Sequence, residues 1–142
     1  MEKNIKTYMI SYDLNDPEPP KPHEQYAARI VSDYFESDIV FIRKKAGSSP
    51  DFIIVRSNQI WELKSPLGNG KRTIANNLRE ASHQSENVIL DLSRCKMNNM
   101  NALARIGFFL KNGNAKFKRL LVIQKDKKIL TYDVKKGKII VG

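Results

Sequence analysis

At 142 residues, with apolar side chains making up 41% and broken into short patterned runs, the chain fits one globular domain able to bury roughly two thirds of its unfolded surface. No apolar stretch approaches the ~20 residues of a membrane span, the N-terminus lacks the basic-then-apolar layout of a signal peptide, and a lone Cys95 excludes an internal disulfide and a thiolate zinc site. Twenty-five Lys and Arg against 15 acids leave a net charge of +10, a field that concentrates polyanions and makes nucleic acid the natural partner class, with acidic proteins, lipid headgroups or a merely solvated basic face as its competitors.

A strand-like run from Ile5 to Tyr12 opens the chain and is followed by Asp16-Pro17-Glu18-Pro19-Pro20-Lys21-Pro22. Four prolines there exclude helix interior and central strand, so residues 1–21 read as an N-terminal arm and linker, and 22–142 as the functional domain. From His23 to Glu36, Ala27, Ile30, Val31, Tyr34 and Phe35 recur at helical spacing, with Pro22 suited to the first turn and Glu24 on the border of the apolar stripe. Ile39 to Arg43, Asp51 to Val55 and Gln59 to Lys64 then read as strands of an antiparallel meander, the last two joined by the polar turn Arg56-Ser57-Asn58. Beyond the Gly- and Pro-containing loop Ser65 to Gly70, a helix is expected over Thr73 to Ser85 and a buried strand over Val88 to Leu92. A third helix over Asn98 to Leu110, a hairpin of Lys118 to Gln124 with Lys128 to Val134, and an edge strand at Lys138 to Val141 complete the order. Helices that link strands must cover a sheet face, so the fold class is α/β, a mixed central sheet flanked by helices.

Alternation along Gln59 to Lys64 puts Ile60, Glu62 and Lys64 on one face, and Trp61 and Leu63 on the other. Asp51 opens the preceding strand, and the hairpin brings its carboxylate level with the Glu62 and Lys64 pair. Phosphodiester hydrolysis needs charge neutralised on the phosphate and a water made nucleophilic; a hard cation held by carboxylate oxygens does both, and a lysine stabilises the charge that develops. An exposed Glu-x-Lys ion pair is the plainer alternative, worth under about 1 kcal/mol.

The pattern Pro50-Asp51, ten residues, Glu62-Leu63-Lys64 resembles the PD-(D/E)XK (restriction-endonuclease-like) nuclease superfamily. That resemblance implies Asp51 and Glu62 as metal-binding acids, Lys64 as the catalytic lysine, and Glu24 on the first helix as the acid completing the site. The implied cofactor is a divalent metal, Mg²⁺ first, with Mn²⁺ and Zn²⁺ as alternatives. A second resemblance spans Ser49 to Arg94, on Pro50-Asp51-Phe52, Trp61-Glu62-Leu63-Lys64-Ser65-Pro66, the helix from Asn76 to Gln84 and Asn87-Val88-Ile89-Leu90-Asp91-Leu92. It is similar to the C-terminal tRNA-cleaving domains of contact-dependent growth-inhibition (CdiA-type) toxins. Such a domain ends a large secreted carrier, acts in the cytoplasm of a neighbouring cell and is neutralised by a cognate immunity protein. The resemblance thus implies tRNA as substrate and an immunity protein as partner. Related toxins include metal-free ribonucleases of other folds built around Lys, Arg, Glu or His, and Asp51 is the residue that favours the metal.

Lys71 and Arg72 stand in a loop running into a helix N-terminus, where cations and backbone N–H groups suit phosphate, and are candidate nucleic-acid contacts against a reading as solvated loop charge. Gln84 shares a polar helical face with Thr73, Asn77 and Glu80, and is a third candidate. His23 and His83 read as surface residues, although a metal-free ribonuclease would want one as general base. A metal-dependent endonuclease acting on RNA is the leading expectation; DNA cleavage by the same core, a metal-free ribonuclease and a non-catalytic nucleic-acid-binding module are the alternatives. Only a nuclease requires Asp51, Glu62 and Lys64 to converge.

Overall fold

The structure, a computed structural model, describes residues 7–43, 50–112, 114–135 and 138–142; Ile5 of the expected first strand and Ser49 of the motif region lie outside them. Among the described residues eight strands form one mixed sheet in sequence order: β1 (Ile10–Ser11), β2 (Ile39–Phe41), β3 (Phe52–Ile54), β4 (Gln59–Lys64), β5 (Asn87–Asp91), β6 (Arg119–Ile123), β7 (Ile129–Lys135) and β8 (Lys138–Val141). The helices among the described residues are α1 (Pro22–Phe35), α2 (Thr73–Ser82) and α3 (Asn99–Asn112). This is the expected α/β class, and among the described residues no helix is long and apolar enough to cross a membrane.

The helices begin and end where local chemistry dictates. Pro22 opens α1, and the Glu24 side chain turns back so that its Oε1 accepts the Lys21 N–H at 2.9 Å, satisfying one donor that the first turn leaves open. Glu36 closes α1 in the left-handed region, and the Ser37 N–H returns to the Ser32 carbonyl at 3.1 Å. Asn58, at φ 55°, supplies the left-handed residue of the turn between β3 and β4, a conformation that asparagine tolerates.

Packing divides the sheet into two faces. Ala27, Ala28 and Val31 of α1 bury Ile39, Phe52, Ile54, Trp61, Leu63, Ile89 and Leu121 on one face. Ile74 and Leu78 of α2, with Ile106 and Phe109 of α3, bury Val88, Leu90, Leu120 and Val122 on the other. Each fully buried Ile, Leu or Phe contributes about 1.5–3 kcal/mol relative to exposure. β5 is buried along its whole length because it runs parallel between β4 and β6 with helices over both faces.

The N-terminal segment is not set apart from this body. Ile10 and Ser11 pair in parallel with Ile39 and Val40, the Ile39 N–H donates to the Met9 carbonyl at 2.9 Å, and Ile10 packs on the α1 side of the core. The prolines do mark an extended connection, but Ile10 and Ser11 before it pair as the edge strand of the sheet. Proline composition reports local conformation; the tertiary pairing of a short parallel strand leaves no such local trace.

Candidate active site

β4 is where the sheet changes character, antiparallel to β3 and parallel to β5. Glu62 lies beside Val88, and Lys64 beside Leu90, on the α2/α3 face, whereas Trp61 and Leu63 enter the α1 side of the core. The expected alternation is therefore the observed one. The helices cover this face only as far as β4, whose Ile60 is already exposed, as is Val40 of β2 beyond it. Glu62 and Lys64 stand at that margin.

The β3/β4 register pairs Phe52 with Trp61 and Ile54 with Gln59, so one further step brings Asp51 level with Glu62. Asp51 is held from both sides: its N–H donates to the Trp61 carbonyl at 3.1 Å, and its carbonyl accepts the Ile42 N–H at 2.8 Å. Its carboxylate Oδ2 accepts the backbone N–H of Leu63 at 2.8 Å, which seats the charge over the peptide joining Glu62 to Leu63. Asp51 and Glu62 are both buried, at 5% and 3% exposure.

Lys64 supplies the compensating charge. Its Nζ lies 3.9 Å from Glu62 Oε2 and 3.3 Å from Glu80 Oε1, bridging the strand to α2. The lysine is largely enclosed while Glu80 is mostly in solvent, so the inner contact acts in the lower dielectric and the outer one is screened. Glu80 is the site residue that sequence reasoning left unassigned. Helical periodicity puts it on a polar face with Asn77 and Gln84, but the roll of α2 over β4, which aims Glu80 at Lys64, is set by the burial of Ile74, Leu78 and Ala81.

The other candidates are dispersed. Glu24 sits in the first turn of α1 with its carboxylate engaged by the Lys21 N–H. Among the described residues no group of three or more His, Cys, Asp and Glu gathers in a metal-holding cluster. Gln84 lies just past the end of α2, its N–H donating to the Ala81 carbonyl at 2.9 Å, and its enclosed Oε1 has no hydrogen-bond partner among the described residues. Lys71 and Arg72 are exposed in the turn that precedes α2.

His83 caps the C-terminus of α2 and is exposed. His23 is partly buried near the N-terminus of α1; burial and then the Arg94 guanidinium push its pKa down, against the opposing pull of Glu24 and Asp91. Cys95 is buried in the α2/α3 core, its Sγ donating to the Gly68 carbonyl at 3.2 Å.

Two carboxylates at paired positions offer hard oxygen donors of the kind that Mg²⁺ accepts, since that ion is held by one or two carboxylates and keeps much of its water. They do not offer the nitrogen and sulfur donors of a structural zinc site. The arrangement suits an oxygen-binding cation at Asp51 and Glu62, with an ammonium beside it.

Comparison with known proteins bears on the same region. No curated protein matches the chain. The chain is similar in structure to a protein of the CdiA-CT/CdiI toxin and immunity complex from Burkholderia pseudomallei, at 18% identity and a TM-score of 0.58 over 94% of this chain and 99% of that one, a likeness of fold. The profile of the contact-dependent growth inhibition CdiA C-terminal domain matches residues 48–129, more than half of the 142 residues and a span that includes Asp51, Glu62, Lys64 and the whole of α2 and β5. The chain thus belongs to the family of contact-dependent growth inhibition CdiA C-terminal domains.

Proposed function

We propose that the chain is the nuclease domain of a contact-dependent growth inhibition toxin, a divalent-metal-dependent endonuclease of the PD-(D/E)XK kind that cleaves RNA, with tRNA as its substrate. The observation that carries this reading is the buried Asp51 carboxylate seated on the Leu63 N–H of the strand that carries Glu62 and Lys64. A binding module has no use for two buried carboxylates and a lysine at one strand end, whereas hydrolysis of a phosphodiester does.

Asp51 and Glu62 would hold the metal, which when bound supplies charge neutralisation on the phosphate and activation of a water. Lys64, steadied by Glu62 and Glu80, presents its ammonium where charge develops on the phosphate during attack. Burial of the carboxylates keeps bulk water away and strengthens each of these interactions. The immunity complex of the structurally similar Burkholderia protein supports a cognate immunity protein as partner. The place of action would be the cytoplasm of a target cell, after delivery by a carrier.

The test is cleavage of total tRNA and of linear DNA by wild type, Glu62→Gln and Lys64→Ala, with EDTA and with added Mg²⁺, Mn²⁺ or Zn²⁺. Wild type should cut tRNA, lose activity in EDTA and recover it with metal. Glu62→Gln should be inactive, and Lys64→Ala slower by on the order of 10²-fold or more. Cleavage of DNA alone would reassign the substrate; cleavage that persists in EDTA would hand the case to a metal-free ribonuclease; no cleavage of either polymer under any metal would leave a binding module.

A further inference from the structure

On the side of α2 away from Lys64, two adjoining clefts of about 660 and 260 Å³ share Lys71, Arg105 and Phe108 in their walls. Lys96 lines the larger one, Arg72 and Arg79 line the smaller, and no acidic residue lines either. The ion pairs among the described residues engage Arg43, Arg56, Lys64 and Lys118, and none engages Lys71, Arg72, Lys96 or Arg105. These cations line one open groove, and among the described residues no acidic side chain lines it with them. Their mutual repulsion is tolerable in water and is relieved by a polyanion.

In the midst of them stands Phe108, 67% exposed on α3. One exposed aromatic is ordinary, but this ring is set among unpaired cations and lines both clefts. A protein partner would call for a contiguous apolar patch at the centre of its footprint. Here Met97, Ala104, Ala75 and Phe109 line the clefts as well, but Phe108 is the ring that both share with Lys71 and Arg105, an arrangement that suits a single nucleic-acid strand, whose phosphates take the charges and whose unstacked base lies on the aromatic face. A duplex keeps its base faces stacked and could not use the ring.

The groove is also fastened to the catalytic strand. The loop carrying Lys96 is tied to the loop that leaves β4 after Lys64: the Lys96 N–H donates to the Leu67 carbonyl at 3.2 Å, Cys95 Sγ to the Gly68 carbonyl at 3.2 Å, and Arg94 Nη2 to the Ser65 carbonyl at 3.3 Å. A strand seated there is held at a fixed offset from Glu62 and Lys64.

We infer that this groove is the seat of a single-stranded segment of the RNA substrate, with Lys71, Lys96 and Arg105 on its phosphates and one unstacked base on the Phe108 ring. The inference rests on the nuclease reading of Asp51, Glu62 and Lys64, and adds where the substrate lies beyond the cut.

The experiment measures binding of a short fluorescein-labelled single-stranded RNA by anisotropy, and of the same RNA carrying 2-aminopurine by fluorescence quenching. It compares wild type, Phe108→Ala, Phe108→Trp, Lys96→Ala, Arg105→Ala and the hairpin control Lys128→Ala. Phe108→Ala should weaken binding by about 5-fold or more, the loss of one base–aromatic stack, and abolish the quenching, while Phe108→Trp retains both. Lys96→Ala and Arg105→Ala should each lower the slope of log affinity against log salt by about 0.7. Lys128→Ala should match wild type.

Unchanged RNA affinity in both Phe108→Ala and Arg105→Ala would overturn the inference. So would poly-L-glutamate binding as tightly as RNA and indifferently to Phe108→Ala, a result that marks the groove for an acidic protein. Steady-state cleavage of tRNA by the same variants separates this claim from the nuclease reading. Raised KM at unchanged kcat supports the groove. Unaltered kinetics in every variant would overturn it and leave the nuclease standing, whereas ring-dependent RNA binding by a wild type that cuts nothing would support the groove and fell the nuclease.

Discussion

In the proposed nuclease Asp51 would serve the fold and the chemistry through different properties of one side chain, and two substitutions separate them. The fold uses an acceptor for the Leu63 N–H; the chemistry uses a negative charge. Asp51→Ala removes both and leaves that N–H unpaired at a residue only 7% exposed. Loss of a hydrogen bond to a charged acceptor is worth about 1.5–3 kcal/mol, which for a domain of this size lowers Tm by about 3–12 °C. Asp51→Asn retains an amide oxygen able to accept the same bond, so most of that loss should disappear. Its charge is gone, however, and cleavage should be abolished in both variants. Thermal unfolding followed by circular dichroism, alongside tRNA cleavage with and without EDTA, reads the two effects separately. An Asn variant as unstable as the Ala variant would refute the structural role assigned to Oδ2. Full activity of Asp51→Asn would refute the metal-binding role, and with it the mechanism.

Three further outcomes follow from the geometry. Deleting residues 1–11 strips the edge strand and the partly buried Ile10, so urea unfolding should stay cooperative but lose about 1 kcal/mol or more of stability, read as a lower midpoint; an unchanged midpoint would show that β1 adds nothing. Because the folded pKa of His23 lies below its ordinary 6.5, the unfolded chain takes up the proton first as pH falls, so stability should decline below about pH 6.5, and His23→Gln should lose that component in a pH series of unfolding midpoints. Glu80→Gln should slow cleavage by releasing Lys64 from its outer partner, with little effect on Tm because Glu80 is 69% exposed, and 1 M salt should shrink the difference between variant and wild type.

Much of this could be counted from the residues. The turn Arg56-Ser57-Asn58 fixes the hairpin, and three steps back from Ile54 and three forward from Gln59 reach Asp51 and Glu62, so their juxtaposition follows from strand periodicity. The helices were legible from apolar spacing, and β5 from its unbroken apolar run. What was not legible depends on contacts between distant segments. The Lys64 to Glu80 bridge needs the roll of α2, the return of Ile10 to the sheet needs a pairing 29 residues distant, and the cationic groove is assembled from the loops at Lys71 and Lys96 and the outer face of α3. Lys71 and Arg72 could be suspected one at a time; Arg105 and Phe108 acquire meaning only when placed beside them.

The strongest argument for chemistry at the end of β4 is that stability alone would not have chosen it. Along the same face the neighbouring strand places Val88 and Leu90 beside Glu62 and Lys64, and both are fully buried under α2 and α3. An apolar residue in place of Glu62 would extend that core, and buried ion pairs are commonly neutral or destabilising relative to such replacements. The chain instead keeps two carboxylates at 5% and 3% exposure on paired positions, with a lysine between strand and helix. Its ion pair between Arg56 and Glu36 shows the ordinary alternative, both partners 67% exposed and free to exchange with solvent. Charges drawn into a core margin, opposite one another and beside an ammonium, forgo that freedom, as the proposed phosphodiester chemistry would require.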